Sequence, residues 1–297
     1  MKRVLFIING LLRKKTGKEI LQLIAKYLDK SKFDYDICFS EFSGHSTELA
    51  VSKKDRYDII IAAGGDGTVN EVGKVLAGSV ITFGIIPLGS GNGLARTMKI
   101  PLPVARAIQI INAFKISHLD MGLINGIPFI NMAGVGFDAN VAHSYNKRKN
   151  RGFLSYLRSV TELFFHYKAI WYEVIYESKV HKIKAFLISF ANSSQWGYNA
   201  HICPGADPSD GLLGITIMRS FPKIIIPVLA WQLFTKRLNK SRYVQVFMTK
   251  QIEVRSPGEI AGHVDGNPVI FHDYIQVEVA HNAINIISGM DSYLKNY

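Results

Sequence analysis

Asp58-Ile59-Ile60-Ile61-Ala62-Ala63-Gly64-Gly65-Asp66-Gly67-Thr68-Val69-Asn70-Glu71-Val72 is a short apolar run that ends in three glycines, a carboxylate and a hydroxyl, then in residues that can open a helix. The order is that of a strand, a tight loop and a helix N-terminus. Glycines lack a Cβ and let the backbone approach a ligand, and the free N–H groups at a helix start favour negative charge. The stretch therefore reads either as a phosphate-binding loop or as a simple turn from strand to helix.

A second stretch repeats the design. Ile85-Ile86-Pro87-Leu88-Gly89-Ser90-Gly91-Asn92-Gly93-Leu94-Ala95-Arg96 is again an apolar strand, a glycine-rich loop and helix-compatible residues. Two such loops on neighbouring strands would share the carboxyl edge of a parallel sheet, where open α/β sheets bind ligands. Together they describe one phosphate site. On these paired motifs, Gly64-Gly65-Asp66-Gly67-Thr68 with Asn70-Glu71 and Pro87-Leu88-Gly89-Ser90-Gly91-Asn92, the chain resembles the diacylglycerol kinase catalytic family, which includes bacterial lipid kinases, sphingosine kinases and ceramide kinases. NAD kinases and phosphofructokinase-like enzymes share the first loop. The second stretch is similar to the lipid kinases.

Strand and helix patterns alternate through about residue 115: strands at Val4–Ile8, Tyr35–Phe39, the 58–63 run and Ile81–Ile86, with helices at Val69 to about Ala77 and about Pro103–Phe114. This predicts a doubly wound α/β domain over residues 1–116. From Ser117 the segments are strand-length and punctuated by Gly, Asn, Asp and Pro: His118–Leu123, Pro128–Ala133, Ile170–Tyr176, Lys182–Ala191, Leu213–Met218, Tyr243–Thr249, Gln251–Ser256 and Tyr274–Val279. An antiparallel β domain over 117–284 follows. The resemblance makes it a β-sandwich that accepts the lipid, with a tail at about 285–297 returning to the first domain.

The resemblance also assigns roles. ATP would be bound by Asn9, Gly64, Gly65, Gly67, Thr68, Glu71, Gly89, Ser90, Gly91 and Asn92. Asp66 is the first candidate for catalytic work, in a network with Asp120 of Leu119-Asp120-Met121-Gly122 and with Lys18. The family's Asn-Pro-x-x-Gly-Lys stretch is matched at its ends by Asn9 and Gly17-Lys18, without the proline and with a longer connection read as a basic loop. It is not a Walker A motif, because six residues separate Gly10 from Gly17 and no Ser or Thr follows Lys18. Pro204-Gly205-Ala206-Asp207-Pro208-Ser209-Asp210-Gly211 is similar to a family loop that holds a structural Mg²⁺ in the bacterial members, with Asp210 as ligand.

Two positions depart from the family. In Val264-Asp265-Gly266-Asn267-Pro268 an Asn stands where the family usually has the Glu proposed as general base. An amide takes no proton at neutral pH. Either Asp66 or, second, Asp265 then supplies the carboxylate, or catalysis is slow or lost. Gly93 stands where bacterial diacylglycerol kinases commonly have Asp, which opens the acceptor to another lipid alcohol such as a sphingoid base.

The implied activity is an ATP- and Mg²⁺-dependent lipid kinase serving phospholipid metabolism. The alternatives are an NAD-kinase-like enzyme or a non-catalytic lipid or nucleotide sensor. The formal net charge of +12, from 35 basic and 23 acidic residues in 297, suits nucleotides or an anionic membrane surface. No reading motif for nucleic acid accompanies it. Cys38 and Cys203 form no disulfide framework, and Asn9-Gly10 interrupts the apolar start, so a cytoplasmic protein is expected. No apolar run reaches the roughly 18 residues that span a bilayer. Membrane contact would be peripheral, at the inner face. Phe153–Phe165, after the basic run Lys147–Arg151, and Ile224–Phe234, before Lys236 and Arg237, are the two apolar helical segments that would either touch lipid or pack on the β domain. Oligomeric state is not readable from the sequence.

Overall fold

The computed structural model describes residues 1–10, 14–146, 153–164 and 166–289. The chain divides into two compact units, one of residues 1–119 joined by the segment from Asn282, the other Asp120–His281.

In the first unit the order is β1 (Lys2–Asn9), α1 (Lys14–Tyr27), β2 (Phe33–Ser40), α2 (His45–Lys53), β3 (Ile59–Gly64), α3 (Asp66–Val75), β4 (Thr82–Pro87), α4 (Gly93–Thr97) and α5 (Val104–Ala113). The strands pair parallel in the order β2-β1-β3-β4. Asn285 and Ile286 continue the sheet beside Thr82 and Phe83. Val4 to Ile8 and Ile59 to Ala63 are all fully buried, as expected of parallel strands covered on both faces. Ile20 and Ile24 of α1, with Leu28 just after it, supply the buried stripe. Two sequence expectations shift here. Lys18 lies within helix α1, not in a loop, and Asp66 opens α3 rather than lying ahead of it.

The second unit is built from β5 (Ile116–Ile124), β6 (Ile127–Phe129), β7 (Met132–Gly136), α6 (Phe137–Asn146), α7 (Phe153–Phe164), β8 (Ile170–Tyr176), β9 (Lys179–Ala191), β10 (Leu213–Arg219), α8 (Ile226–Phe234), β11 (Val244–Thr249), β12 (Gln251–Val264) and β13 (Asn267–Ile287). β5 and β13 carry the chain between the units. All strand pairs within the second unit are antiparallel. β7, β9, β8 and β12 pair in a closed ring, because the long strands β9 and β12 each change partner along their length. On β12 the change falls at an irregularity between Arg255 and Glu259 that contains Pro257 and a Gly258 at φ +82°. Proline and a positive-φ glycine are tolerated in a strand at such a bulge. The expected strands Gln251–Ser256 and Tyr274–Val279 are therefore the ends of much longer ones. The expected strand Pro128–Ala133 is split at Ile130-Asn131, and the helix α6 was not anticipated.

Val135, Tyr172, Val174, Ile188, Phe190, Val254 and Ile260 of the ring strands, with Val277 of β13, belong to one core. A second cluster, around Phe137, Phe186, Leu187 and Cys203, receives Val160, Leu163 and Phe164 of α7. That is the packing alternative for this helix. The basic run Lys147–Arg151 and residues 290–297 of the expected tail lie outside the described residues.

Candidate active site

β1, β3 and β4 end level with one another: Ile8 lies opposite Ala63, and Gly64 opposite Pro87. This brings Asn9 and both glycine-rich loops to one sheet edge. The loops meet backbone to backbone, since a methyl on Gly89 would lie 2.6 Å from the Cα of Gly65. Gly64 is required by Thr68, whose Cβ would be 2.6 Å from an added methyl. Gly67 meets nothing within 4 Å, so its lack of a side chain leaves open space at the start of α3.

Asp66 and Asn92 lock the two loops together. Asn92 and Gly93 donate their main-chain N–H groups to Asp66 Oδ2 and Oδ1 at 2.9 and 2.8 Å. The Asn92 side chain closes its own loop, accepting from the Gly89 N–H at 2.9 Å and donating to the Gly89 carbonyl at 2.7 Å. Asn92 sits at φ 51°, a left-handed conformation that asparagine tolerates better than most residues. Gly65 is the N-cap of α3 with no side-chain cap, which leaves first-turn N–H groups of a ten-residue helix for an anion. Ser90 is exposed on the second loop, and the carbonyl of Gly91 accepts from Arg96 Nε at 3.1 Å. Glu71 bonds away from the loops, accepting the N–H of Gly44, the N-cap of α2, at 2.9 Å. Lys18 is exposed, with no ion pair among the described residues.

In the second unit Asp120 is fully buried. Its Oδ2 accepts the Gly211 N–H and its Oδ1 faces His281 Nδ1, each at 2.7 Å. Its main chain donates to the Pro208 carbonyl and accepts from Asn192 Nδ2, also at 2.7 Å. Asp120 is thus the anchor of the 204–212 loop. Asp210 on that loop has its carboxyl pushed above the usual range by partial burial first, then by the negative charges of Asp207 and Asp120. Excess negative charge of this kind suits a cation. No group of three or more His, Cys, Asp or Glu converges among the described residues, so a Mg²⁺ at Asp210 would take its other ligands from carbonyl oxygens and water. The Asp210 carboxylate is a hard oxygen donor of the kind that ion takes.

Asp265, at φ 50°, accepts three main-chain N–H groups, from Ile130 at 3.1 Å, Asn131 at 2.9 Å and Met132 at 3.1 Å. Both oxygens brace the break between β6 and β7. Asn267 is exposed at the start of β13. Two histidine contacts went unanticipated: His281 with Asp120, and the buried pair His263–Asp138 at 3.2 Å. Partners 161 and 125 residues apart leave no spacing signal in the sequence.

Residues 3–124 match the model of the diacylglycerol kinase catalytic domain, and residues 131–288 that of the YegS C-terminal NAD kinase beta sandwich-like domain. The chain belongs to the diacylglycerol kinase catalytic family. It is a kinase, with the expected α/β domain followed by a β-sandwich-type domain. It is 28% identical over 294 residues to a diacylglycerol kinase of Bacillus subtilis, covering 93% of this chain and 96% of that one. A diacylglycerol kinase from Bacillus anthracis has the same fold, with a TM-score of 0.74 at 20% identity and 97% of each chain covered. An NAD kinase from Archaeoglobus fulgidus, crystallised with ATP, is more distant, with a TM-score of 0.55 at 12% identity over 96% of this chain and 93% of that one.

Proposed function

We propose that this kinase transfers the γ-phosphoryl group of ATP to the hydroxyl of a membrane lipid, diacylglycerol or a sphingoid-type alcohol, at the inner face of the membrane. The observation that carries the reading is the interlocked pair of loops, Gly64–Thr68 and Gly89–Gly93, clamped through Asp66. Phosphoryl transfer asks the protein mainly to position and to stabilise charge. The first-turn N–H groups of α3 and the open space at Gly67 suit a phosphate chain there.

In this reading Asp66 has two tasks. Its carboxylate holds Asn92 and Gly93, which fixes the second loop, and as the carboxylate carried on the phosphate loop itself it would accept a hydrogen bond from the acceptor hydroxyl. Asp265 is better suited to bracing, because its two oxygens are already occupied by three main-chain N–H groups of residues 130–132. A largely dissociative transition state needs little early proton removal, so Asn267 in place of Glu is compatible with turnover. Mg²⁺ would be held by Asp210 with loop carbonyls and would supply positive charge. Asp120 anchors the loop that carries Asp210, and Lys18 is exposed with no ion pair among the described residues.

The NAD-kinase-like reading rests on the fold likeness to the ATP-bound NAD kinase. The test is transfer of labelled γ-phosphate from Mg-ATP to diacylglycerol, sphingosine, ceramide and NAD, with lipids in mixed micelles and Asp66→Asn as control. Label in one lipid, absent with Asp66→Asn, is expected. Label in NAD alone would replace the lipid reading, and label in no acceptor despite ATP binding would favour a sensor.

A further inference from the structure

Helix α8 carries its apolar residues on the wrong side for a core helix. Of its residues only Leu229 is buried. Val228, Trp231 and Phe234 of α8, each at 53% exposure, and Ile224 of the 3-10 turn that leads into it, at 86%, face solvent. Together with exposed Pro227 they recur at intervals of three and four residues, so they line one helical face. A contiguous exposed apolar strip of this kind marks an interaction surface.

The charge around it is of one sign. From Gly211 to Ile252 the chain contains no Asp or Glu and seven Lys or Arg. Five of these, Lys223, Lys236, Arg237, Lys240 and Arg242, flank the helix and are exposed. Arg237 lies over the Trp231 ring at 5.3 Å, which holds a cation at the edge of the apolar strip. Lysine and arginine beside a helix face of Trp, Phe and Ile are what an interfacial helix presents to anionic lipid.

We propose that the α8 face, Val228, Trp231 and Phe234 with Ile224 of the preceding turn and the cationic rim, docks on an anionic bilayer surface. This rests on the lipid-kinase reading for its purpose and on the α8 geometry for its place. A second copy of the chain is the poorer occupant, because an isologous contact through this face would bring like-charged rims together. α7 is different: Val160, Leu163 and Phe164 are packed against the second-unit core. The two apolar helical segments of the sequence therefore divide, one to the interior and one to the membrane.

The experiment is sedimentation of the full chain with vesicles of phosphatidylcholine alone or with phosphatidylglycerol, for the native protein and the double variant Ile224→Ser/Phe234→Ser. The native protein is expected to pellet with the anionic vesicles and to release on adding salt, and the variant to bind about tenfold more weakly as apolar area is lost. Circular dichroism checks the variant's fold, which two exposed positions should leave unchanged. Equal binding of both proteins, or no binding of the native one, would overturn the docking face. So would concentration-dependent self-association that the variant loses, since that identifies a second copy as occupant. Phosphate transfer is scored separately on a short-chain acceptor dissolved as monomer: transfer without vesicle binding sinks the docking face alone, and binding without transfer to any lipid sinks the kinase substrate alone.

Discussion

The backbones of Gly65 and Gly89 touch: a methyl group on Gly89 would lie 2.6 Å from the Cα of Gly65, and one on Gly65 would lie 3.2 Å from the Cα of Gly89. Neither neighbour is a side-chain end that can swing aside. Gly89→Ala should therefore push the loops apart, at the overpacking cost of about 1–3 kcal/mol, and weaken ATP binding by about tenfold or more. Calorimetric titration with Mg-ATP measures it. Unchanged affinity would mean that the loop contact does not shape the nucleotide site.

The strands and both glycine loops were legible because their signals are local: an apolar run, then glycine, then a helix opener. Asp66 could be read as a site residue, but its grip on Asn92 and Gly93 could not, since nothing in the residue order says which N–H groups a carboxylate will meet. The length of β12 was hidden by Pro257-Gly258, at which the expected strand Gln251–Ser256 stopped and which is a bulge where the strand changes partner. His281 was invisible for a related reason. Its meaning comes from Asp120, which lies a whole domain away in sequence and is fully buried beneath the 204–212 loop.

The raised carboxyl of Asp210 has a consequence for metal binding. A folded-state pKa above the ordinary 3.8 means that the folded protein resists ionisation there, so the cost is absent in acid and present at neutral pH. Asp210→Asn should raise the melting temperature of the metal-free protein at neutral pH and leave it unchanged near pH 3. Added Mg²⁺ should stabilise the native protein more than the variant. Thermal unfolding with and without Mg²⁺ tests this, and equal stabilisation of both would remove Asp210 as a ligand.

His201 is buried with its ring Nδ1 against Ser194 Oγ, and its main-chain N–H donates to the Leu233 carbonyl near the end of α8. Burial, then the charge of Lys236, holds its pKa below the ordinary 6.5. Folding thus favours the neutral ring. The associated stability is fully present above about pH 6.5 and is lost as pH falls below that value, where the unfolded chain takes the proton first. Urea unfolding at about pH 5.5 and about pH 7.5 should show lower stability in acid, and His201→Gln should reduce the difference. A difference of the same size in the variant would assign the acid sensitivity to other groups.

Asn267 stands exposed at the first residue of β13, directly after the Asp265-Gly266 turn, and pairs across to Val264. Asp265 pins that turn to the main chain of residues 130–132, so the position of residue 267 is set by bonds that a change at 267 leaves intact. Asn267→Glu should therefore fold normally and present a carboxylate where the family usually carries one. A positioned general base contributes about 10²–10⁴-fold in favourable cases. With Asp66 already in place the gain should be smaller, about tenfold in kcat, with KM for ATP unchanged because the nucleotide loops are untouched. A steady-state comparison of the two proteins on the preferred acceptor measures it. A rise in kcat that disappears below the Glu pKa would identify residue 267 as facing the acceptor hydroxyl. An unchanged kcat across the pH range would leave Asp66 as the carboxylate that this kinase uses.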